Sequence, residues 1–131
     1  LCPTPDYVLD ERYMGWAQSN IAESGGSLRV SHDIADAYAG ADIVYAKSWG
    51  ALPYFGNWEP EKPIRDQYKH FIVDEAKMAL TNNGVFSHCL PLRRNVKATD
   101  GVMDSPQCIA IDEAENRLHV QKAIMAALMQ Q

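Results

Sequence analysis

The hydrophobic and polar positions of the chain switch between helical and strand-like spacing. Apolar side chains recur at helical spacing from Leu9 to Ile21, and Gly25 and Gly26 follow, which predicts a helix that ends at this glycine pair. The next predicted elements are a short β-rich run, a small helix and a strand, at Leu28 to Ser31, Asp33 to Gly40 and Ile43 to Ala46.

The second half begins with a segment that has no regular period. Lys47 to Pro63 gathers glycine, asparagine and proline, which predicts a long ordered loop, and loops of this length in compact domains are usually functional. A single long helix is predicted from Pro63 to Ala79, ended by the residues up to Gly84. The remaining predicted elements are a strand at Val85 to Ser87, a basic segment at His88 to Asp100, a helical turn at Thr99 to Met103, an extended piece at Cys108 to Ile111 and a final helix at Asp112 to Met129.

The alternation of strands and helices predicts an α/β fold, with a mostly parallel sheet flanked by helices on both faces and joined by right-handed crossovers. Ligands of such sheets bind beyond the carboxyl ends of the strands. The irregular segments Lys47 to Pro63 and His88 to Lys97 both follow strands at that end. Their side chains are therefore expected to converge on one crevice.

Composition narrows the classes of function. With 131 residues, 47% of them hydrophobic, the chain can bury one core, and a net charge of −5 without a basic cluster argues against a nucleic-acid partner. The apolar runs are too short to span a membrane, and a cytoplasmic location is expected. Three cysteines without close spacing indicate free thiols, and no spacing suggests a metal site. Because the chain starts at Leu1, as if at the end of a strand, we expect an N-terminal truncation.

The segment His88, Cys89, Leu90, Pro91 is the first candidate for chemistry. It brings an imidazole and a thiol to a strand end, and cationic side chains follow at Arg93, Arg94 and Lys97. Backbone N–H groups and cations at such a place suit an anionic substrate and a developing oxyanion. The alternative is structural, with Cys89 as a small buried hydrophobe and the arginine pair as a solvated surface.

Two further candidates are cationic. Arg117 lies in the first turns of the final helix, where the helix terminus also favours an anion, although a surface ion pair with Glu113 or Glu115 is the simpler interpretation. Lys47 ends a strand and is followed by Trp49, so the ammonium could meet a carboxylate and the indole could wall a pocket.

Taken together, His88 to Pro91, Glu115 to Arg117 and the strand end before Lys47 resemble the aspartate/ornithine carbamoyltransferase superfamily over essentially the whole chain. The resemblance implies a Rossmann-like second domain that binds the amino acid and here lacks its first strand and helix. The carbamoyl-phosphate-binding domain, with its Ser/Thr-Arg-Thr phosphate loop, would be absent from this chain. Cys89, Leu90 and Arg117 are implied to contact carbamoyl phosphate, and Cys89 and His88 are the implied catalytic residues.

Departures from the ornithine enzymes bear on the acceptor. Those enzymes carry Asp-x-Trp-x-Ser-Met-Gly where this chain has Lys47, Ser48, Trp49, Gly50, and an acidic stretch where it has Asn95 to Lys97. Lysine in place of the aspartate that meets an ammonium would repel it by about 1 kcal/mol even in water. We therefore expect an acylated α-amine, and the region resembles the superfamily members that use N-acetylornithine, with Lys47, Trp49 and Lys97 at the acceptor.

The resemblance also implies the reaction and the assembly. The δ-amine of N-acetylornithine would attack carbamoyl phosphate to give N-acetylcitrulline and phosphate, in arginine biosynthesis, without a metal or organic cofactor. The whole enzyme would be a homotrimer, the fragment alone inactive, and Lys97 a candidate for carboxylation to N6-carboxylysine. Open alternatives are an N-succinylornithine or ornithine carbamoyltransferase domain and a non-catalytic module that binds an amino acid.

Overall fold

The computed structural model describes residues 1–48 and 50–130, and its residues divide into two compact units. Unit 1 comprises 1–37 and 48–71, and unit 2 comprises 38–47 and 72–131. The helices and strands are α1 (Glu11–Ser24), α2 (Ile34–Tyr38), β1 (Ile43–Tyr45), α3 (Trp58–Asp66), α4 (Glu75–Met78), β2 (Val85–Ser87), α5 (Asp100–Met103) and α6 (Ala110–Met129), with short 3-10 helices at Pro5–Tyr7, Leu52–Tyr54 and Lys69–Phe71.

The predicted first helix is confirmed as α1 in unit 1. The Asp10 side chain accepts a hydrogen bond from the Arg12 N–H at its start, and Gly25 ends it in the left-handed region at φ 71°. That conformation costs glycine least, which explains why the helix stops there. The glycine pair was therefore a reliable end signal.

The predicted strand Leu28 to Ser31 is wrong, because this segment is irregular in the structure. Its polar groups bond to the start of α2 instead of to a sheet. The Arg29 guanidinium pairs with Asp36 at 2.5 Å, and the Ser31 hydroxyl donates to the same carboxylate at 2.8 Å. These side-chain bonds outweigh a weak strand propensity.

The core of unit 1 contains Cys2, Tyr7 and Ala51, with Val8, Tyr54 and Ile64 packed against them. Glu61 of α3 is fully buried beside this core and accepts a hydrogen bond from the Ala51 N–H over 2.8 Å. Burial of a carboxylate is tolerable only with such partners. The predicted loop is thus partly structured, since it holds a 3-10 helix and the first turns of α3.

The single long helix predicted from Pro63 to Ala79 is also wrong. α3 begins before Pro63 and ends at Asp66, and α4 begins separately after Asp74, whose side chain accepts a hydrogen bond from the Lys77 N–H. Between them the backbone of Val73 forms a parallel bridge with Ala98, and its N–H donates to the Lys97 carbonyl over 2.9 Å. A residue that makes this strand-like pairing cannot also continue a helix. The helical spacing of apolar residues therefore did not reveal the break between α3 and α4.

Unit 2 contains a parallel sheet of two strands, β1 and β2, in which Ile43 pairs with Val85 and Tyr45 with Ser87. Gly84 permits the close approach at the start of the ladder, since a Cβ there would lie 2.7 Å from the Ala41 carbonyl oxygen. A further parallel bridge joins Phe86 to Cys108, in the piece predicted to be extended. The predicted α/β class with a parallel sheet is confirmed.

The helical elements after β2 follow the sequence closely. The Thr99 hydroxyl accepts from the Val102 N–H and starts α5, as the predicted turn required. The final helix α6 begins at Ala110, two residues before its predicted start, and ends at Met129. Within the residues that the structure describes, no helix is long and apolar enough to cross a membrane.

Candidate functional site at the strand ends

The parallel ladder brings two distant parts of the chain to one edge. Tyr45 and Ser87 are register partners, and the Ala46 N–H donates to the Ser87 carbonyl over 3.1 Å. Lys47 and Cys89 each lie two residues beyond this last pair. Strands in parallel register therefore deliver both side chains to the same end of the sheet, as expected.

Lys47 and Cys89 are in direct contact there. The Lys47 Nζ donates a hydrogen bond to the Cys89 Sγ over 3.1 Å. This bond is the main cause that lowers the pKa of the Cys89 thiol, and the nearby Tyr45 hydroxyl lowers it further. A thiol next to a cation is more easily ionised, and the thiolate is the nucleophilic and proton-accepting form.

His88 is buried, with 4% of its surface exposed. Its Nδ1 accepts a hydrogen bond from the Leu90 N–H over 2.9 Å, so the ring proton lies on Nε2. Burial lowers the pKa of His88, and the charges of Lys47 and Lys97 add to this effect. The imidazole is therefore neutral near pH 7, and its Nδ1 supports the backbone turn at Leu90.

Leu90 itself has an unusual backbone. Its φ of 48° lies in the left-handed region, which a leucine adopts at a steric cost, and the peptide bond to Pro91 is cis. Non-glycine residues in this region cluster at functional sites, where the surrounding structure holds them. The bond to His88 is one such constraint, and it fixes the turn that follows Cys89.

Arg117 approaches the same turn from α6. Its Nη2 donates a hydrogen bond to the Cys89 carbonyl oxygen over 2.8 Å. The side chain is exposed, so its remaining N–H donors can reach an anion from solvent. Among the residues that the structure describes, Arg117 forms no ion pair with Glu113 or Glu115; Glu113 accepts hydrogen bonds from Tyr45 and Ser87, and Glu115 contacts His119 over 3.3 Å.

Glu113 connects the two strand ends to α6. Its Oε1 accepts a hydrogen bond from the Tyr45 hydroxyl over 3.0 Å, and its Oε2 accepts one from the Ser87 hydroxyl. The Glu113 contact is the main cause that raises the pKa of Tyr45 to about 12, so the phenol stays protonated. The bond from Ser87 is the main cause that lowers the pKa of Glu113, which keeps this carboxylate ionised.

Lys97 lies in a tight turn. The Lys97 N–H donates to the Arg93 carbonyl over 3.0 Å, and its own carbonyl accepts from Val73. Ion pairs to the first residue of α5 and to the residue that follows this helix stabilise the turn, since Arg94 pairs with Asp100 at 2.9 Å and with Asp104 at 2.6 Å. Arg94 therefore stabilises the turn. The positive charge of Lys97 instead contributes to the lowered pKa of His88.

The structure thus brings together Lys47, His88, Cys89, Leu90 and Arg117, as the sequence suggested, with Lys97 in the same unit. Trp49, the remaining candidate, lies outside the described residues. Tyr45 and Glu113 were not among the predicted site residues. Their signal was positional, since Tyr45 precedes Lys47 by two residues on a strand and Glu113 precedes Arg117 by one helical turn.

Metal ligands are a separate question. Among the described residues, no group of three or more histidine, cysteine, aspartate or glutamate side chains is arranged to hold a metal ion. The functional groups found here are instead a cation beside a thiol, an arginine and a neutral imidazole. Such a set suits binding and positioning of an anionic or carbonyl-containing substrate.

A sequence model described as "Aspartate/ornithine carbamoyltransferase, Asp/Orn binding domain" matches residues 1–128. The chain belongs to the aspartate/ornithine carbamoyltransferase family. Similar curated proteins in this family include the N-acetylornithine carbamoyltransferases of Xanthomonas campestris pv. campestris, 88% identical over 131 residues, and of Xylella fastidiosa (strain 9a5c), 80% identical over 131 residues. The ornithine carbamoyltransferase of Thermococcus kodakarensis is 37% identical and aligns with 96% of this chain.

Solved structures of family members agree with this fold. Acetylornithine transcarbamylase complexed with acetylcitrulline is 89% identical and matches 97% of this chain at a TM-score of 0.94. A mutant of N-acetyl-L-ornithine transcarbamylase complexed with carbamyl phosphate and N-succinyl-L-norvaline gives the same identity and TM-score, 89% and 0.94. The whole chain aligns with the Xanthomonas and Xylella relatives named above. It spans only 39% of the length of each.

Proposed function

We propose that residues 1–131 form the amino-acid-binding domain of a carbamoyltransferase. The enzyme would transfer the carbamoyl group of carbamoyl phosphate to the δ-amine of N-acetyl-L-ornithine, giving N-acetyl-L-citrulline and phosphate for arginine biosynthesis. The observation that carries the proposal is the contact between Lys47 and Cys89, with Arg117 bound to the Cys89 carbonyl. Similarity to the relatives supports the reaction, and the phosphate loop would come from outside this chain.

The carbamoyl side of the site is assigned to Cys89, Leu90 and Arg117. Carbonyl oxygens of a turn can accept the carbamoyl N–H groups, and a guanidinium can stabilise the oxygen that becomes negative. The constrained turn at Leu90 supports this role, since its φ of 48° fixes where the carbonyl groups point. His88 would hold this turn, with Cys89 as the nearer candidate to take part in proton transfer.

The acceptor side is assigned to Lys47, Lys97 and Trp49. Two cations favour a substrate that offers a carboxylate and no charged α-amine, which describes an N-acylated ornithine. The Lys47 ammonium now bonds to Cys89, and an incoming carboxylate would compete for it. The resemblance further suggests carboxylation of Lys97, which would exchange its positive charge for a carboxylate.

The chemistry follows from these positions. The neutral δ-amine attacks the carbamoyl carbon, a tetrahedral oxyanion forms, and the carbon–oxygen bond to phosphate breaks as the proton lost by the attacking nitrogen passes to the departing phosphate oxygen. Free primary amines have a pKa of roughly 10, so the site must accept a proton from the bound ammonium. The thiolate form of Cys89, stabilised by Lys47, is a suitable acceptor. Most of the rate enhancement would come from positioning and charge stabilisation.

A hybrid enzyme tests the proposal. In the hybrid, this chain replaces the matching 131 residues of the Xanthomonas campestris relative. The rates with carbamoyl phosphate and N-acetylornithine, N-succinylornithine or ornithine are compared by mass spectrometry of the products. The proposal expects N-acetylcitrulline to form fastest.

Other outcomes of this assay identify the alternatives. Faster use of N-succinylornithine would favour this compound as the acceptor. A mutant of the homologue binds a related succinyl compound, N-succinyl-L-norvaline. Faster formation of citrulline would overturn the acceptor assignment. A folded hybrid without any product would leave a non-catalytic binding module. We also propose a homotrimer in the cytoplasm. Gel filtration of the hybrid tests its oligomeric state, and its location in cells tests the second point.

A further inference from the structure

Glu113 lies where the three elements of the site meet. Its two carboxylate oxygens accept hydrogen bonds from Tyr45 of β1 and from Ser87 of β2. These two donors are register partners, the last pair of the parallel ladder. One side chain of α6 therefore binds the ends of both strands.

The position of Glu113 on α6 links it to Arg117. The two residues are one helical turn apart, so their side chains lie on the same face of the helix. Arg117 extends from that face to the Cys89 carbonyl, with its Nη2 2.8 Å from the oxygen. A rotation of α6 that broke the Glu113 contacts would also move the guanidinium.

The start of α6 is attached to β2 by a backbone contact as well as by Glu113. Its beginning is held by the backbone, since the Ile109 N–H donates to the Phe86 carbonyl over 2.9 Å. A helix held at its first residue can still pivot, and Glu113 provides an ionised anchor one turn further along. Hydrogen bonds to charged groups are stronger than those between neutral groups.

Lys47 depends on Glu113 much less. Its segment is fixed by the β1–β2 ladder and by the Ala46 N–H, which donates to the Ser87 carbonyl over 3.1 Å. These bonds use the backbone and do not involve α6. Loss of Glu113 should therefore disturb Arg117 more than Lys47.

We propose that Glu113 is a positioning residue for carbamoyl phosphate, which it serves by fixing α6 so that the Arg117 guanidinium meets the Cys89 turn. It need not contact the substrate, and it acts through Arg117. The inference rests on the proposed function, because it assumes that Arg117 binds carbamoyl phosphate and Lys47 the acceptor.

The test compares Glu113→Gln with Asp112→Asn in the hybrid. Both substitutions remove one negative charge from the first turn of α6, but Asp112 is exposed and serves as the matched control. Glu113→Gln is expected to raise KM for carbamoyl phosphate about tenfold, the equivalent of one lost charged hydrogen bond, with KM for N-acetylornithine changed less than about twofold. Asp112→Asn is expected to leave both KM values within about twofold of the unmodified hybrid.

A second variant keeps the test decisive if Glu113→Gln does not fold. Tyr45→Phe removes one donor to Glu113 and keeps the ring, so it should raise KM for carbamoyl phosphate in the same direction by a smaller factor. Equal rises in both KM values, no rise, or the same rise in Asp112→Asn would overturn the positioning role. If these occur while the unmodified hybrid still makes N-acetylcitrulline, only the Glu113 inference fails. An unmodified hybrid without product would overturn both proposals.

Discussion

Lys47 and Cys89 lie 42 residues apart in the chain, yet the Lys47 Nζ is 3.1 Å from the Cys89 Sγ. Parallel pairing of β1 with β2 produces this contact, since each residue is the second after the last register pair. The contact joins the residue assigned to the acceptor with the residue assigned to carbamoyl phosphate. It therefore lies where the two substrates would have to react.

The ionisation of Cys89 should depend on Lys47. Replacement of the lysine in Lys47→Met removes the main cause that lowers the pKa of the thiol, so that pKa should rise. Because the thiolate is the reactive form, alkylation of Cys89 by iodoacetamide at pH 7 should be slower in the variant. Mass spectrometry of the peptide that contains Cys89 measures this rate in the hybrid.

The matched control for this experiment is Lys122→Met, an exposed lysine on α6. It should leave the alkylation rate of Cys89 unchanged. Equal rates in Lys47→Met and the unmodified hybrid would mean that the hydrogen bond to the thiol does not control its ionisation.

Acceptor recognition should fail when the charge of Lys47 is reversed. In Lys47→Asp the acceptor carboxylate meets an anion instead of a cation, and KM for N-acetylornithine should rise at least about tenfold. KM for carbamoyl phosphate should change by less than about threefold, because Arg117 and the Cys89 turn remain. Steady-state kinetics of the hybrid give both values, with Lys62→Asp at an exposed position of α3 as the control. Parallel rises in the two KM values would contradict the division of the site.

The ion pairs of Arg94 with Asp100 and Asp104 predict that the stability of the protein depends on pH. Hydrogen bonds from Asn95 and Arg94 lower the pKa of Asp100, and the bond from Arg94 lowers that of Asp104. Carboxyls with a lowered pKa in the folded state stabilise it above their ordinary pKa of about 4, and this contribution is lost as the pH falls through the lowered value. Arg94→Met should thus lower the melting temperature at pH 6 to 7.

The difference in melting temperature should shrink as the pH is lowered below about 4, where the carboxyls become protonated in both proteins. Thermal unfolding of the hybrid and of Arg94→Met across this range provides the measurement. Arg93→Met, which changes the neighbouring arginine, is the control. A difference that is constant with pH would show that the aspartates do not act through their charge.

Packing beneath the site should be essential for stability. Phe86 in the middle of β2 is completely buried, so Phe86→Ala should cost about 3–5 kcal/mol through lost burial and a cavity. Phe55, which is 83% exposed, is the matched control, and Phe55→Ala should cost at most about 0.5 kcal/mol. Urea unfolding followed by circular dichroism compares the two variants. Similar midpoints would contradict the assigned core.

Sequence patterns predicted the elements that are set by local signals. The end of α1 at Gly25 and the start of α5 at Thr99 depend on neighbours a few residues away, so they can be found from sequence. The segments at Leu28 to Ser31 and around Val73 could not, because distant backbone and side-chain partners decide their conformation.

The same distinction holds for the site. The proximity of Lys47 and Cys89 could be predicted because both follow strands at the same end of the sheet, and Arg117 was a candidate because of its motif. Glu113 was considered only as a possible surface partner of Arg117. Its actual partners, Tyr45 and Ser87, lie on two strands whose register no local pattern specifies.

The most direct test of the account is a crystal structure of the hybrid with N-acetylcitrulline bound. This product carries the transferred carbamoyl group and the acceptor carboxylate in one molecule, so a single structure locates both sides of the site. We expect the carbamoyl end beside Cys89, Leu90 and Arg117, with the carboxylate and acetyl end toward Lys47 and Lys97. The opposite orientation, or a product bound away from the Lys47–Cys89 contact, would contradict it.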